Sequence, residues 1–232
     1  MELLDQAVAA YRSALEVYTR ERQAQDLAMT QNDLGDALED SLADLRSALE
    51  VRTKAYTRGA WVQTQNLLGD ALWTLGNQLK GEEGLKRQQE SVEAFRELMA
   101  YQPSDQSRFV LAHHLGGLAF NLVLNRQFAD AQADCEKAQR LANEIGDGVQ
   151  RNNREDLIFI QGNLAHALLF QGHYDEALAI YRQYWDKPLN GKTFGELTLG
   201  DFAAFDKAGL THPDLSRMKQ ALGDSRSKSP NP

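Results

Sequence analysis

The sequence repeats itself with a period of 34 residues. The segment 11–38 realigns on the segment 45–72, and 15 of the 28 aligned residues are identical. Such a constant offset indicates two copies of one structural unit, because chance similarity does not keep its register over so many positions. The longest identical runs are 12–17 against 46–51, 30–32 against 64–66, and 34–38 against 68–72. A period of this length accommodates one helix–turn–helix per copy.

The spacing of apolar residues and prolines indicates that the chain is helical throughout. Apolar side chains near the N-terminus are spaced alternately by four and three residues, which places them on one helical face. They are Leu4, Val8, Tyr11, Leu15 and Tyr18. Proline costs about 3 kcal/mol inside a helix, and all five prolines fall at expected loops, helix starts or the tail. With no alternating run of strand-forming residues, we expect an all-α fold.

The segment 163–181 carries the clearest family resemblance. It has a small residue at Ala165, a turn glycine at Gly172, an aromatic at Tyr174 and an alanine at Ala177. In this pattern the chain resembles the tetratricopeptide-repeat (TPR) family, and its Thr-Gln-Asn-x-Leu-Gly repeats resemble a bacterial subgroup. The resemblance implies a right-handed α-solenoid of stacked helical hairpins. The third unit departs from the pattern, because Arg126 stands where the turn glycine is expected.

The repeat pattern predicts three regions. Residues 1–185 form the repeat array, which begins in mid-repeat because 4–20 has the pattern of a second helix without its first. Residues 186–222 form a helical cap of two short amphipathic stretches, since repeat arrays need a terminal cap. Gly209 ends the first stretch, and Thr211 with Pro213 opens the second. Residues 223–232 are polar, and we expect them to be disordered.

The resemblance also implies which side chains line a concave peptide groove. Asparagines would pair with a bound backbone, aspartates would meet lysine or arginine, and aromatics would supply anchor pockets. In the alternative interpretation, the polar residues are merely solvated and the aromatics pack beneath the cap. The expected groove residues are Asn32, Asp36, Asn66, Asp70, Trp73, Phe120, Phe159, His166 and Phe170.

Composition narrows the choice of partners. The net charge of −8 disfavours nucleic acid, and no run of about 18 apolar residues predicts a membrane span. Without a recognisable signal peptide, we expect a cytoplasmic protein. The leading hypothesis is an adaptor that binds a protein or peptide with basic and apolar residues. The alternatives are the recognition part of a larger effector enzyme, or a structural protein that self-associates through its N-terminal half-repeat.

The sequence offers little support for catalysis or for a cofactor. Cys135 is the one cysteine, at a position where the resemblance implies a packed residue, so an inert buried thiol is expected. Adjacent His113 and His114 point about 100° apart on a helix and do not converge on a metal. We therefore expect no enzyme activity, no metal and no cofactor.

One motif gives a direct test. Gly191-Lys192-Thr193 matches the end of a phosphate-binding loop, but Asp186 stands where its first glycine is required. The motif also needs a buried strand before it, whereas a helix is expected there. Calorimetric titration with ATP or GTP and magnesium should therefore detect no binding. Affinity in the micromolar range would contradict this expectation.

Overall fold

The computed structural model describes residues 38–50, 58–79, 81–145 and 150–226. Nearly all of these residues are helical, so the expected all-α class is confirmed. Their only strands are two of two residues each, β1 (Pro188–Leu189) and β2 (Lys192–Thr193). The helices are α1 (38–50), α2 (Arg58–Gln78), α3 (Gly81–Tyr101), α4 (Asp105–Leu124), α5 (Phe128–Asn143), α6 (Gln150–Phe170), α7 (Tyr174–Tyr184), α8 (Phe194–Lys207) and α9 (Pro213–Arg226).

The chain divides into two compact units, Met1–Tyr101 and Gln102–Pro232. The boundary expected at 185/186 lies inside the second unit, where the two C-terminal helices share a compact body with α4 to α7. Helix α9 continues to Arg226, past residue 223, where the tail was expected to begin. The N-terminal half-repeat at 4–20 lies outside the described residues.

In the first unit, α2 and α3 form an antiparallel hairpin. The Gln65 side chain donates a hydrogen bond to the Ala94 carbonyl at 3.2 Å. At the other end of α2, the Gln88 amide of α3 donates to Asn77 Oδ1 at 2.7 Å. Because residue numbers rise along α2 while they fall along α3 at these contacts, the two helices run in opposite directions. A leucine-rich cluster joins α1 to α2 and contains Leu38, Leu42, Leu45, Leu68, Ala71, Leu72 and Leu75.

The two helices of this hairpin approach closely at Gly69. A Cβ atom added to Gly69 would lie 2.5 Å from Cζ of the buried Phe95 ring. The absence of a side chain thus lets α3 pack its phenylalanine directly on the α2 backbone. Beside this contact, the buried Ser91 hydroxyl donates to the Gly69 carbonyl at 2.7 Å. A small residue at this repeat position, found at both Gly35 and Gly69, predicts a close approach of two helices, and the structure confirms it at Gly69.

In the second unit, α6 lies parallel to α4 and also contacts α5. Near the start of both helices, His113 bonds to Asp156 at 3.1 Å. Further along, the buried Asn163 side chain donates to the Gly116 carbonyl at 2.9 Å. Because residue numbers rise together along these contacts, the two helices share one direction.

The turns that end α4 and α6 have the same backbone conformation despite different residues. Arg126 has φ of 63° and Gly172 has φ of 84°. Each is followed by an amide that bonds back to the helix: Gln127 N to Leu122 O at 2.9 Å, and His173 N to Leu168 O at 3.0 Å. These bonds define the Schellman motif. Arg126 therefore fills the glycine position of the resemblance without changing the turn.

The left-handed backbone of Arg126 is accompanied by a hydrogen bond that glycine could not make. Left-handed geometry costs a residue with a Cβ roughly 1–2 kcal/mol. The Arg126 guanidinium donates to the Gly209 carbonyl at 2.9 Å. This contact ties the α4–α5 turn to the turn after α8 and offsets part of the strain.

The segment after α7 begins with a two-residue turn. Asn190 and Gly191 both have positive φ, 50° and 74°, as a type I′ hairpin turn requires. Thr193 then caps α8 through a reciprocal capping box with Glu196. Lys192 and Thr193 thus belong to a β-hairpin that starts a helix, a small departure from the expectation of essentially no strand.

The two amphipathic stretches expected near the C-terminus are confirmed as α8 and α9. Gly209, with φ of 65°, follows the first helix, and Pro213 begins the second. Six apolar residues of the two stretches are buried: Phe202, Phe205, Leu210, Leu215, Met218 and Leu222.

The Gly69 contact predicts a position-specific cost. Gly69→Ala should destabilise the chain by about 1–3 kcal/mol, because overpacking a well-filled core displaces its neighbours. Urea denaturation followed by circular dichroism measures this cost. Gly59→Ala is the matched control on the same helix, since a Cβ added to Gly59 would meet nothing within 4 Å. Equal midpoints for the two variants would contradict the proposed role of Gly69.

Candidate functional site

The exposed face of α2 carries a row of polar and aromatic side chains. The row consists of Gln63, Asn66, Asp70, Trp73 and Asn77, each partly or fully exposed. At 100° per residue these five lie within about 80° of the helix circumference. We call them the α2 row. The opposite face of the helix is buried, with Leu68, Leu72 and Leu75 in the cluster shared with α1.

The charge of α2 is unusually low for a helix with an open face. Only two of its 21 residues are charged, Arg58 and Asp70. Helix α3, of the same length, carries eight charged residues. A merely solvated helix face usually carries many charges, so the amide-rich α2 row is better suited to contact than to solvation.

The amide of Asn66 is only partly used within its own helix. Its Nδ2 donates one hydrogen bond to the Val62 carbonyl at 3.0 Å. That bond orients the amide, while Asn66 Oδ1 and the second N–H point to no described partner. The expected groove residues Asn32 and Asp36, which occupy the same repeat positions as Asn66 and Asp70, lie outside the described residues.

In the second unit, three of the expected groove residues converge on one phenylalanine of α8. The ring of Phe205 lies 5.8 Å from Phe120, 4.9 Å from His166 and 5.1 Å from Phe170, measured between centroids. Phe205 itself is fully buried. These aromatics thus pack beneath the C-terminal segment, which is the alternative arrangement that the sequence left open.

His166 is buried in this cluster and is hydrogen-bonded on both sides. Its Nδ1 lies 2.7 Å from the Tyr181 hydroxyl, and its Nε2 lies 3.1 Å from Asp201 Oδ2. Since a carboxylate only accepts, Nε2 must donate to Asp201. For neutral His166, Nδ1 then accepts from Tyr181. Burial raises the pKa of Tyr181, which keeps its hydroxyl protonated for this role.

The Asp–His–Tyr arrangement fixes helices rather than presenting a reactive group. Tyr181 is 0% exposed, so its hydroxyl cannot reach a substrate. Its bond to His166 connects α7 with α6, and Asp201 extends the connection to α8. The sequence did not indicate this network, because its members lie 15 and 35 residues from His166.

Phe159 lies on α6, beside the His113 ring of α4. With Phe109 it flanks the exposed His113 ring, at centroid distances of 6.3 and 6.4 Å and with the ring planes nearly parallel. His113 Nδ1 bonds to Asp156, whose side chain is 15% exposed. This hydrogen bond raises the pKa of His113 against the opposing effect of desolvation.

His114 has the opposite electrostatic environment. Its ring is buried, with Nδ1 2.8 Å from the Val110 carbonyl. Desolvation lowers the pKa of His114 to about 4. The rings of His113 and His114 lie 5.4 Å apart between centroids, in an edge-to-face arrangement. Within 38–50, 58–79, 81–145 and 150–226, no three potential ligands gather around a metal position.

Cys135 is fully buried on α5, as the sequence predicted. Burial raises the pKa of its thiol well above the ordinary value, and Asp134 and Glu136 add to the increase. Since the thiolate is the reactive form, this thiol is chemically inert in the fold.

Comparison with known proteins does not narrow the choice of function for this chain. The sequence matches no family model and no curated protein. Among the described helices, none combines the length and apolarity that crossing a bilayer requires. The candidate surfaces are therefore defined by geometry within each unit: the α2 row in the first unit, and in the second unit the residues Phe120, His166 and Phe170.

The adjacent histidines predict opposite pH responses. The pKa of His113 is raised in the folded chain, so protonated His113 adds to the free energy of unfolding. This contribution is fully present below the unfolded pKa of 6.5 and is lost as pH rises through the folded pKa. Because His114 has a folded pKa of about 4, it reduces stability as pH falls from 6.5 towards 4. NMR titration should find His113 above 6.5 and His114 near 4.

Asp156→Asn tests the cause of the His113 shift. The variant should lower the pKa of His113, because desolvation remains while the charged acceptor is lost, and should leave His114 titrating far below 6.5. An unchanged His113 titration would rule out Asp156 as the cause.

Proposed function

We propose that this chain is a non-catalytic, TPR-type binding module whose α2 row holds a segment of another protein. The observation that carries the proposal is the α2 row itself. Its five side chains line one face of a helix that has little charge, on the side away from the core. The ligand is an extended peptide with basic and apolar residues.

Helix packing supports the repeat-module part of the proposal. The described helices follow one another as hairpins, and α6 lies parallel to α4 while also touching α5. Glycines stand at the close approaches, at Gly69 of α2 and Gly116 of α4. The 34-residue sequence register aligns Asn66 and Asp70 of the α2 row with Asn32 and Asp36, which lie outside the described residues.

The side chains of the α2 row define the chemistry of the ligand. Asn66 Oδ1 and its second N–H can pair with a peptide N–H and C=O, since one amide both accepts and donates. The exposed carboxylate of Asp70 attracts lysine or arginine. Trp73, one turn further on, provides an aromatic surface for an apolar or cationic side chain.

Charge near the α2 row favours the same ligand. Helix α1 of the same unit exposes four carboxylates and one cation, Arg46. The carboxylates are those of Glu39, Asp40, Asp44 and Glu50. The whole chain carries a net charge of −8. A basic peptide therefore meets a favourable field, which increases the rate of association more than the affinity.

Peptides selected from a displayed random library on the full chain test the proposal. Trp73→Ala should weaken a selected peptide about thirtyfold, which corresponds to roughly 2 kcal/mol for an aromatic anchor. Asp70→Ala should weaken it only several-fold, because an exposed ion pair contributes about 0.2–1 kcal/mol. The Asp70 effect should diminish in high salt.

Asp44→Ala is the matched control for the loss of one exposed carboxylate. It removes the same charge from α1 of the same unit, outside the α2 row, and should leave affinity nearly unchanged because the surrounding field acts mainly on the rate of association. Circular dichroism must show that all three variants are folded. If folded Trp73→Ala and Asp70→Ala bind selected peptides as the wild type does, the α2 row is not the binding site.

A further inference from the structure

Two asparagines of the second unit lie in turns, each just before a residue with a left-handed backbone. Asn125 precedes Arg126 at the end of α4, and Asn190 precedes Gly191 between β1 and β2. Both asparagines are exposed, so burial does not distinguish the two positions. They differ in whether hydrogen bonds hold the two groups that an asparagine brings together in an internal reaction, its side-chain amide and the next backbone nitrogen.

At Asn125, hydrogen bonds hold both of these groups. Its side-chain Nδ2 donates to the Asn121 carbonyl at 2.8 Å. The backbone N–H of Arg126 donates to the Val123 carbonyl at 3.0 Å. The side-chain amide and the next backbone nitrogen are thus each bound to the last turn of α4. A reaction between them would first have to break both bonds.

At Asn190, neither group is held. Within the part of the chain that the structure describes, neither the Asn190 side chain nor the backbone N–H of Gly191 makes a hydrogen bond. The pairing of Leu189 with Lys192 leaves the Gly191 amide outside the ladder of the hairpin. A Cβ added to Gly191 would meet nothing within 4 Å, so no neighbouring atom crowds the turn. Glycine also has no side chain of its own to shield its backbone nitrogen.

We propose that Asn190 is a site of spontaneous deamidation, at which the chain converts its own asparagine to aspartate and isoaspartate. The backbone nitrogen of Gly191 loses its proton to solvent and attacks Cγ of Asn190, the side-chain nitrogen leaves as ammonia, and a cyclic imide forms. Water then opens the imide. Cleavage of the bond from Cγ to nitrogen gives aspartate, and cleavage of the bond from the main-chain carbonyl carbon to nitrogen gives isoaspartate. Water is the only co-reactant, and ammonia is the only other product.

The two products have different effects on the turn. Aspartate followed by glycine suits a type I′ turn as asparagine followed by glycine does, so aspartate leaves the hairpin intact. Isoaspartate routes the main chain through the side-chain methylene, which lengthens the turn by one backbone atom. Because loop length fixes the register of a hairpin, the pairing of Leu189 with Lys192 is then lost.

The register of the hairpin positions residues on both sides of the turn. Leu189 is buried at the end of β1. The backbone amide of Phe194, the first residue of α8, donates to the Lys187 carbonyl at 2.8 Å. Since a hairpin of two short strands has little stability of its own, isoaspartate at position 190 should destabilise the second unit. This proposal does not depend on peptide binding at the α2 row.

Asn125 is the internal reference for a test on the full wild-type chain. Peptide mapping by mass spectrometry, after incubation at mildly alkaline pH, measures the conversion at each asparagine. Asn190 should react at least about tenfold faster than Asn125, whose two hydrogen bonds add to its barrier. Concentrated urea removes those bonds, so the ratio of the two rates should be larger in the folded chain than in urea. A folded-chain ratio no larger than the urea ratio, or no conversion at Asn190, would overturn the proposal.

Pulse proteolysis of the incubated chain in increasing urea tests the effect of each product, because the protease cleaves the unfolded form. Peptide mapping of the intact fraction should show that isoaspartate disappears at a lower urea concentration than aspartate or asparagine does. Asn190→Asp is the matched control, since it adds the charge of the products without lengthening the main chain, and it should resist cleavage as the wild type does. Equal resistance of the isoaspartate and aspartate forms would overturn the effect inferred for isoaspartate.

Discussion

The described helices depend on glycine facing a bulky side chain where two elements cross. Gly69 receives Phe95, Gly116 receives Ile160, and Gly162 receives Phe194. Because protein interiors are close-packed, a side chain seated on bare backbone fixes both the distance and the register of the two helices. An alanine at these positions would separate the helices and misalign every contact further along them.

The same crossings also satisfy buried polar groups. Ser91 donates to the carbonyl of Gly69, and Asn163 donates to the carbonyl of Gly116. The neighbouring helix can reach these carbonyls because the glycine has no side chain to shield them. A buried donor without a partner costs about 1–3 kcal/mol, so each bond also selects the register set by the apolar contact. Both units therefore use one device, although their sequences differ.

The two candidate surfaces differ in what covers them. On α2, the row from Gln63 to Asn77 is partly exposed and nearly uncharged. On α6, the corresponding residues are apolar or aromatic, and α8 covers them from Gly162 to Phe170. The difference follows from residue type, because a row of phenylalanine and histidine loses more by exposure than a row of amides does. A polar surface can stay exposed to water, whereas an aromatic one is more stable when another element covers it.

The sequence by itself determined the helical class, the 34-residue register, the close approach at Gly69, the burial of Cys135 and the two C-terminal helices. These follow from local periodicity, turn residues and small side chains, all of which act over a few positions. Only the tertiary structure decided that α8 covers Phe120, His166 and Phe170, and that neighbouring His113 and His114 have opposite pKa shifts. Helical spacing specifies which residues share a face, but it cannot specify which distant element covers that face. Asp156 and Asp201 reach their histidines across 43 and 35 residues, so only the packing of whole helices brings these charges together.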